Sequence, residues 1–430
     1  MNAICARFNM AALGTTPRTE ILAGLTTWLA MAYIVAVNPH ILATTGMDQG
    51  AVFTATCLAA GLASIAMGLF ANFPLALAPG MGLNAYFAFA VVGGMKVPWQ
   101  VALGAVFLSG VLFLIVSLLR LREWLINAIP LSLKLGIGAG IGFFLAIIGL
   151  QGMGLVVKSP ATLVTLGNLT DHKTLLACLG FIMMAGLNAR GISAAVLIGI
   201  LATAAIGIPL GLTQFQGVVS MPPSLAPTFL QMDIPGALGL GLAGIVLTFF
   251  LVDLLDNAGT LIATTHRAGL MNRDGTVPRL RQALTADSGG AILGSVLGTS
   301  TVTSYIESAA GIQAGGRTGL TAVVTGVLFL LTLFLAPLAR SIPEFATAPA
   351  LVFVACLMAR ALKDLNWDDA SDYLPAIVTA IAMPFTFSIA TGIGLGFIVH
   401  ALVKTIAGRA GEVGGAVWLI AAASVLRFAM

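Results

Sequence analysis

The sequence predicts an all-α polytopic membrane protein on three observations: 59% of its 430 residues are hydrophobic, only 8% are charged, and the apolar residues fall into long unbroken runs. A soluble domain carries roughly 25% charged residues, so most of the outer surface must face lipid. Lipid offers no partner to a backbone N–H or C=O, which leaves only helices and closed barrels. Runs without period-two alternation select helices.

Apolar runs long enough to cross a bilayer, about 20 residues, lie near 21–44, 50–71, 98–119, 131–150, 174–189, 192–212, 238–264, 318–340, 346–363, 373–390 and 391–408. Three shorter stretches, 74–96, 282–298 and 300–316, are rich in Gly, Pro, Ser and Thr, as suits broken helices surrounded by protein. In chain order these make fourteen spans, of which 3, 9 and 10 are the broken ones, and 414–428 is left as an interfacial helix. Lys and Arg concentrate at Arg7 and Arg18, Arg120 and Arg122, Arg190, Arg267 to Arg281, Arg317, Arg360 and Lys363, and Lys404 and Arg409, each time after an even number of spans. The positive-inside rule then puts both termini in the cytoplasm, the protein in the inner (cytoplasmic) membrane, and 151–173 and 213–236 outside.

The net charge of +4 is therefore topological, with no basic stripe or aromatic-basic interleaving to hold nucleic acid. Cys5, Cys57, Cys178 and Cys356 are too scattered for a disulfide frame or a metal site and read as packing residues. The first apolar run lacks a cleavage signal and reads as a retained span.

Two faint repeats relate the halves. Gly110-Val111-Leu112-Phe113-Leu114 recurs as Gly326-Val327-Leu328-Phe329-Leu330, and Gly191 to Leu201 shares its spacing of small and large residues with Gly392 to Leu402. Seven spans per half, an odd number, invert the second half relative to the first. That is the inverted-repeat plan of secondary transporters, whose substrate site lies at mid-membrane between discontinuous helices.

Ionisable residues inside spans are costly and need a reason. Asp253 and Asp256 stand at i and i+3 and share one helix face, which cannot point to lipid. Glu307 follows the β-branched run Thr301-Val302-Thr303, expected to be extended. A helix starting there would offer Glu307, Ser308 and free backbone N–H groups at its positive end. In the first half, Pro79, Gly80 and Gly82 interrupt span 3, and Asn84 supplies a donor and an acceptor where a second half-helix would begin. A carboxylate on one half-helix and an amide on the other suit a neutral, flat, polar heterocycle.

On the residues alone, Asp256 and Glu307 fit either a ligand site or a buried polar network, and Asp253 either function or pairing within the core. Asp287 reads as a helix cap or structural partner, His400 as interfacial, Arg317 as a turn residue, and Asn38, before Pro39, as the end of the first helix.

Ala78-Pro79-Gly80-Met81-Gly82-Leu83-Asn84-Ala85-Tyr86-Phe87-Ala88-Phe89, Asp253-Leu254-Leu255-Asp256-Asn257-Ala258-Gly259-Thr260-Leu261 and Tyr305-Ile306-Glu307-Ser308-Ala309-Ala310-Gly311 through Arg317-Thr318-Gly319-Leu320 together resemble the nucleobase-cation symporter 2 family (xanthine/uracil permeases), in its adenine and guanine/hypoxanthine branch. The resemblance implies a core domain (19–128 and 236–342, spans 1–4 and 8–11) moving against a gate domain (129–215 and 343–410, spans 5–7 and 12–14), followed by the apolar segment 411–430. It implies base-binding carboxylates at Asp256 and Glu307, and it matches Asn84 to the span 3 asparagine of guanine/hypoxanthine members.

The expected function is proton-coupled import of a purine base by alternating access, with guanine and hypoxanthine first. Adenine, or passive facilitation, is the alternative. Glu307, Asp256 or Asp253 would take the proton. Asn84 and the backbone near Ser308 and Met81 would complete the hydrogen bonding, and Phe87 or Tyr86 would stack on the ring unless they serve core packing. No cofactor, metal or catalytic residue is expected. The partners are the purine, H⁺ and the lipid bilayer, and the fold is compatible with a homodimer.

Overall fold

The computed structural model describes residues 2–119, 129–160, 162–239, 243–267, 270 and 279–429; within 243–267 the side chain of Asp256 is not among the described groups. Arg120, Arg122 and, in the 267–281 basic cluster, Arg273 and the side chain of Arg267 also lie outside the described residues.

Each of the fourteen expected spans corresponds to a unit among the described residues. Among the described residues, eight helices are long and apolar enough to cross a membrane by themselves. The others are shorter, broken or more polar: span 7 is Ala195–Gly207, span 8 Ala243–Arg267, span 9 Leu280–Leu297 and span 13 Ala370–Thr386. Span 9, expected to be broken, is a continuous helix that ends at left-handed Gly298. A final helix, Gly415–Ala429, packs on span 14.

Span 1 is bent. Pro17–Met31 gives way at Ala32-Tyr33 to a second helix, Ile34–Ala43, that runs through Pro39. Asn38 therefore does not end the helix as expected. It is buried within it and donates to Thr56 (2.8 Å) and Thr299 (2.9 Å), and in a membrane helix such side-chain bonds and neighbouring helices make a proline tolerable.

Spans 3 and 10 both pass from strand to helix. β1 (Leu77–Pro79) pairs antiparallel with β4 (Val302–Ser304), Ala78 opposite Thr303, and the ladder continues in Gly80 N–H to Thr301 O (2.9 Å) and Tyr305 N–H to Ala76 O (3.1 Å). The outer edge of β1 is closed by Ser64 of span 2, whose hydroxyl accepts from Leu77 N–H (2.9 Å) and donates to Leu77 O (3.1 Å). Buried backbone with no water available requires such partners. A separate hairpin, β2 (Val156–Ser159) with β3 (Leu163–Leu166), lies in the connection after span 5.

Packing repeats with the halves exchanged. Span 4 lies on span 9 as span 11 lies on span 2; span 1 meets span 11 as span 8 meets span 4. The Gly-Val-Leu-Phe-Leu repeat obeys the same rule, since Gly110 abuts Ile292 of span 9 while Gly326 abuts Gly61 and Ile65 of span 2. Spans 2 and 11 are closest at Gly68 and Gly319, where a Cβ on Gly319 would stand 2.0 Å from the Gly68 carbonyl oxygen. Spans 5–7 and 12–14 pack mainly on one another, span 5 against spans 12 and 13.

Candidate functional site

The β1–β4 ribbon sends its two following half-helices off opposite ends. Met81–Ala85, continued as a π-helix to Gly94, starts beside Thr301; Ser308–Gln313 starts beyond the Ala76 end. Proline and glycine at 79 and 80 break span 3, because proline can donate no helix bond and glycine favours no helix. Each half-helix therefore turns its N-terminal end toward the ribbon.

Asn84 is fully buried. Its Oδ1 accepts from the Ser300 hydroxyl, and its Nδ2 has no hydrogen-bond partner among the described residues, so an amide donor remains unspent at this end. Met81, at the helix start, is buried. Tyr86 and Phe87 pack on Phe249 of span 8, with ring centroids 5.0 Å and 6.5 Å away. Phe87 is thus a core contact in this structure.

At the other end Glu307 is only part-buried, and its Oε1 accepts from the Tyr33 hydroxyl at 2.7 Å. Ser308 departs from expectation. Its N–H is spent on Tyr305 O (3.2 Å) and that of Ala309 on Ile306 O (3.0 Å), because the chain enters the helix through a tight turn. The Ser308 hydroxyl instead accepts from Ala76 N–H (3.1 Å), fastening the two broken spans. Tyr305 reaches back along the ribbon to donate to Pro79 O (2.5 Å).

Span 8 lies against β4 and the 308–313 half-helix. Phe249, Asp253, Asn257, Thr260 and Thr264, at helical spacing, are all buried and form one mostly polar face. Asp256 lies on this helix, but its side chain is outside the described residues. Asp287 is no helix cap. It sits mid-helix in span 9, buried, and accepts from Asn257 of span 8 and from Ser304 of β4 (3.1 Å). It links the polar face of span 8 to the ribbon.

Sequence reasoning missed several of these partners. Tyr33 carried one signal, the proline six residues further on at 39. Thr299 and Ser300 stand just before the run read as extended chain. Glu20 was overlooked entirely: it is fully buried and accepts from Arg317 N–H (2.9 Å), Thr318 N–H (3.2 Å) and the Thr321 hydroxyl (2.6 Å). Arg317 itself donates to Ile312 O (2.6 Å) and Gly316 O (2.7 Å), closing the half-helix of span 10.

His400, expected at the interface, is buried one turn from Lys404. Lys404 is 4% exposed and pairs with Asp372 (3.0 Å) and Glu412 (3.1 Å), while Arg409 pairs with Asp369 (2.5 Å). The Lys404 stem can be buried because its ion pairs go with it.

Comparison with known proteins fits this geometry. The xanthine/uracil profile of the permease family matches residues 18–395. The chain is 50% identical to the adenine permease AdeP of Escherichia coli K12, over 98% of this chain and 94% of that one. It is 47% identical to the guanine/hypoxanthine permease PbuG of Bacillus subtilis, over 94% of this chain and 95% of that one. Among solved structures, the transmembrane domain of the cyanobacterial bicarbonate transporter BicA superposes with a TM-score of 0.66 at 15% identity, covering 87% of this chain and 96% of that one. Murine Slc26a9, an anion transporter in its inward-facing state, gives 0.67 at 12% identity, covering 90% of this chain and 68% of that one; at such identities the likeness speaks for the fold alone. The protein is a multi-pass membrane permease, not an enzyme, and it belongs to the xanthine/uracil permease family.

Proposed function

We propose that the protein is a proton-coupled symporter that imports purine bases, guanine and hypoxanthine foremost, by alternating access in the cytoplasmic membrane with both termini inside. The observation that carries this reading is the ribbon with a carboxylate, Glu307, at one end and an unspent amide donor, Asn84 Nδ2, at the other. It occurs in a chain sharing about half its residues with purine permeases. A 6-oxopurine offers N1–H to a carboxylate and a C6 oxygen to an amide, which uses each group in the role left open to it. Asp256 is the second ligand carboxylate, and Met81 and Ser308 shape the floor.

The coupling proton binds Glu307 or Asp256, with Asp253 a turn away, and neutralises a charge that is expensive to carry across lipid. Spans 1–4 with 8–11 form the moving core and spans 5–7 with 12–14 the gate. The self-contained packing of the second group supports that division. Adenine is the second reading, favoured by the 50% identity to an adenine permease.

The test is uptake of labelled hypoxanthine by cells lacking their own purine permeases, with and without a protonophore, against excess guanine, adenine, xanthine and uracil. Protonophore-sensitive uptake blocked by guanine and not by adenine is the expected result. Competition by adenine alone moves the substrate to the second reading, and uptake indifferent to the protonophore replaces symport with passive facilitation.

A further inference from the structure

Tyr33 stands at a mechanically distinct point. It is 1% exposed and lies in the two-residue break of span 1, where backbone bonding loosens: Val35 N–H reaches Ala32 O (3.3 Å), and Ala36 and Val37 share Tyr33 O (3.1 and 3.0 Å). Pro39, further along, can give no bond to Val35 O. From this break the phenol donates to a carboxylate 274 residues away, Glu307 Oε1, at 2.7 Å. The helices behind the contact are close. A Cβ on Gly311, one turn after Glu307, would stand 2.0 Å from Thr27 Oγ1 and 2.5 Å from Ala23 O, so span 1 cannot slide freely over the 308–313 half-helix.

A phenol can donate to a carboxylate or accept from a carboxylic acid, which makes it a partner for both forms of Glu307. The other ionisable groups nearby are committed or on another helix. Glu20 of span 1 holds backbone N–H groups at 317 and 318, the Tyr305 hydroxyl holds Pro79 O, Asp287 bonds Asn257 and Ser304, and span 8 brings Asp253 and Asp256.

We infer that Tyr33 is a positioning residue that couples the protonation of Glu307 to the break in span 1. While Glu307 is ionised, the phenol donates to Oε1 and leaves Oε2 to accept N–H from the base. When a proton from solvent forms the O–H bond of the acid, Tyr33 accepts that hydrogen bond. Its own hydrogen, never transferred, turns away from the acid. Release of the proton restores the first arrangement. The inference rests on the coupling role given to Glu307 above.

The experiment compares Tyr33→Phe, Tyr33→His and Glu307→Gln in cells and in proteoliposomes, reading purine exchange without a pH gradient and accumulation with one. Tyr33→Phe is expected to keep exchange within about threefold of the parent protein and to lose accumulation by at least tenfold. Tyr33→His, which retains a donor, recovers a substantial part of that loss. Tyr33→Phe added to Glu307→Gln changes nothing further, because the two act through one bond. Normal accumulation in Tyr33→Phe, with Glu307→Gln defective, overturns the inference and leaves the Glu307 reading intact. Normal accumulation in Glu307→Gln overturns that reading itself. Should Tyr33→Phe be missing from the membrane, Tyr33→Leu replaces it. Equal accumulation by the Leu and His variants then counts against the inference.

Discussion

Spans 3 and 10 share a backbone plan, strand into half-helix, yet they are furnished oppositely. Span 3 brings an amide with one hydrogen bond made and one donor unspent, followed by aromatic rings packed on span 8. Span 10 brings a carboxylate held by a phenol from span 1, and its remaining polar groups fasten the crossing. On the proposed function, one end would serve recognition and the other charge movement, because a proton and a neutral ring demand different partners.

The largest effect that would break the comparison is on span 10. Glu307→Gln keeps the shape and removes the titration, so accumulation above equilibrium should vanish while the protein still reaches the membrane; cellular uptake with a protonophore control measures this. On span 3, Asn84→Ala removes one donor to the ligand and should raise the KM for hypoxanthine roughly tenfold, about 1.5 kcal/mol, with little change in maximal rate. If Asn84→Ala also abolished accumulation with an unchanged KM, the division of labour between the two ends would be wrong.

A smaller effect belongs to Glu20, which serves the scaffold. Glu20→Ala leaves two backbone N–H groups and a hydroxyl buried without their acceptor, and should cost about 2 kcal/mol of stability. A lowered melting temperature in detergent, with an unchanged KM in the protein that survives, is the expected pair of results.

The smallest effect is at the ion-pair cluster of Asp369, Lys404, Arg409 and Glu412. The hydroxyl of Ser371 and the Arg409 guanidinium hold the Asp369 carboxyl well below the usual carboxylate range, and Arg409 and Lys404 lower that of Glu412. Depressed carboxylates stabilise the fold above their ordinary range and lose that contribution only as pH falls through the depressed values. Between about pH 5 and 8 this cluster should therefore add no pH dependence to thermal stability. Asp369→Asn should lower the melting temperature slightly at neutral pH and leave transport unchanged.

Much of this was legible from residue chemistry. Pro79-Gly80 announced a broken span, and carboxylates in apolar runs pointed to the candidate site, because lipid makes both expensive. What stayed hidden were the pairings. The Tyr33–Glu307 and Glu20–Arg317 bonds join residues nearly 300 positions apart, and in chains so uniformly apolar no periodicity tells which helix face meets which. Of the two readings of Asp287, helix cap or structural partner, the second holds and the first fails for a related reason. Its neighbours Gly289 and Gly290 resemble a helix end, but in the structure Gly290 lets span 9 approach Ala63 and Val302. The N–H groups expected to be free at Ser308 were consumed by a turn whose tightness depends on backbone geometry that sequence does not specify.

One consequence follows from Ser64 closing the edge of Leu77. The crossing tolerates changes of composition far better than changes of length. Any side chain that fits can ride on a ladder made of backbone, but one residue inserted between Ala76 and Gly80 turns every following side chain to the opposite face. It also carries Leu77 away from the single hydroxyl that serves both its N–H and its C=O. The ribbon is in effect a ruler, setting how far the amide of one repeat stands from the carboxylate of the other. Altered substrate choice should therefore be sought by exchanging side chains at its two ends, with its length left untouched.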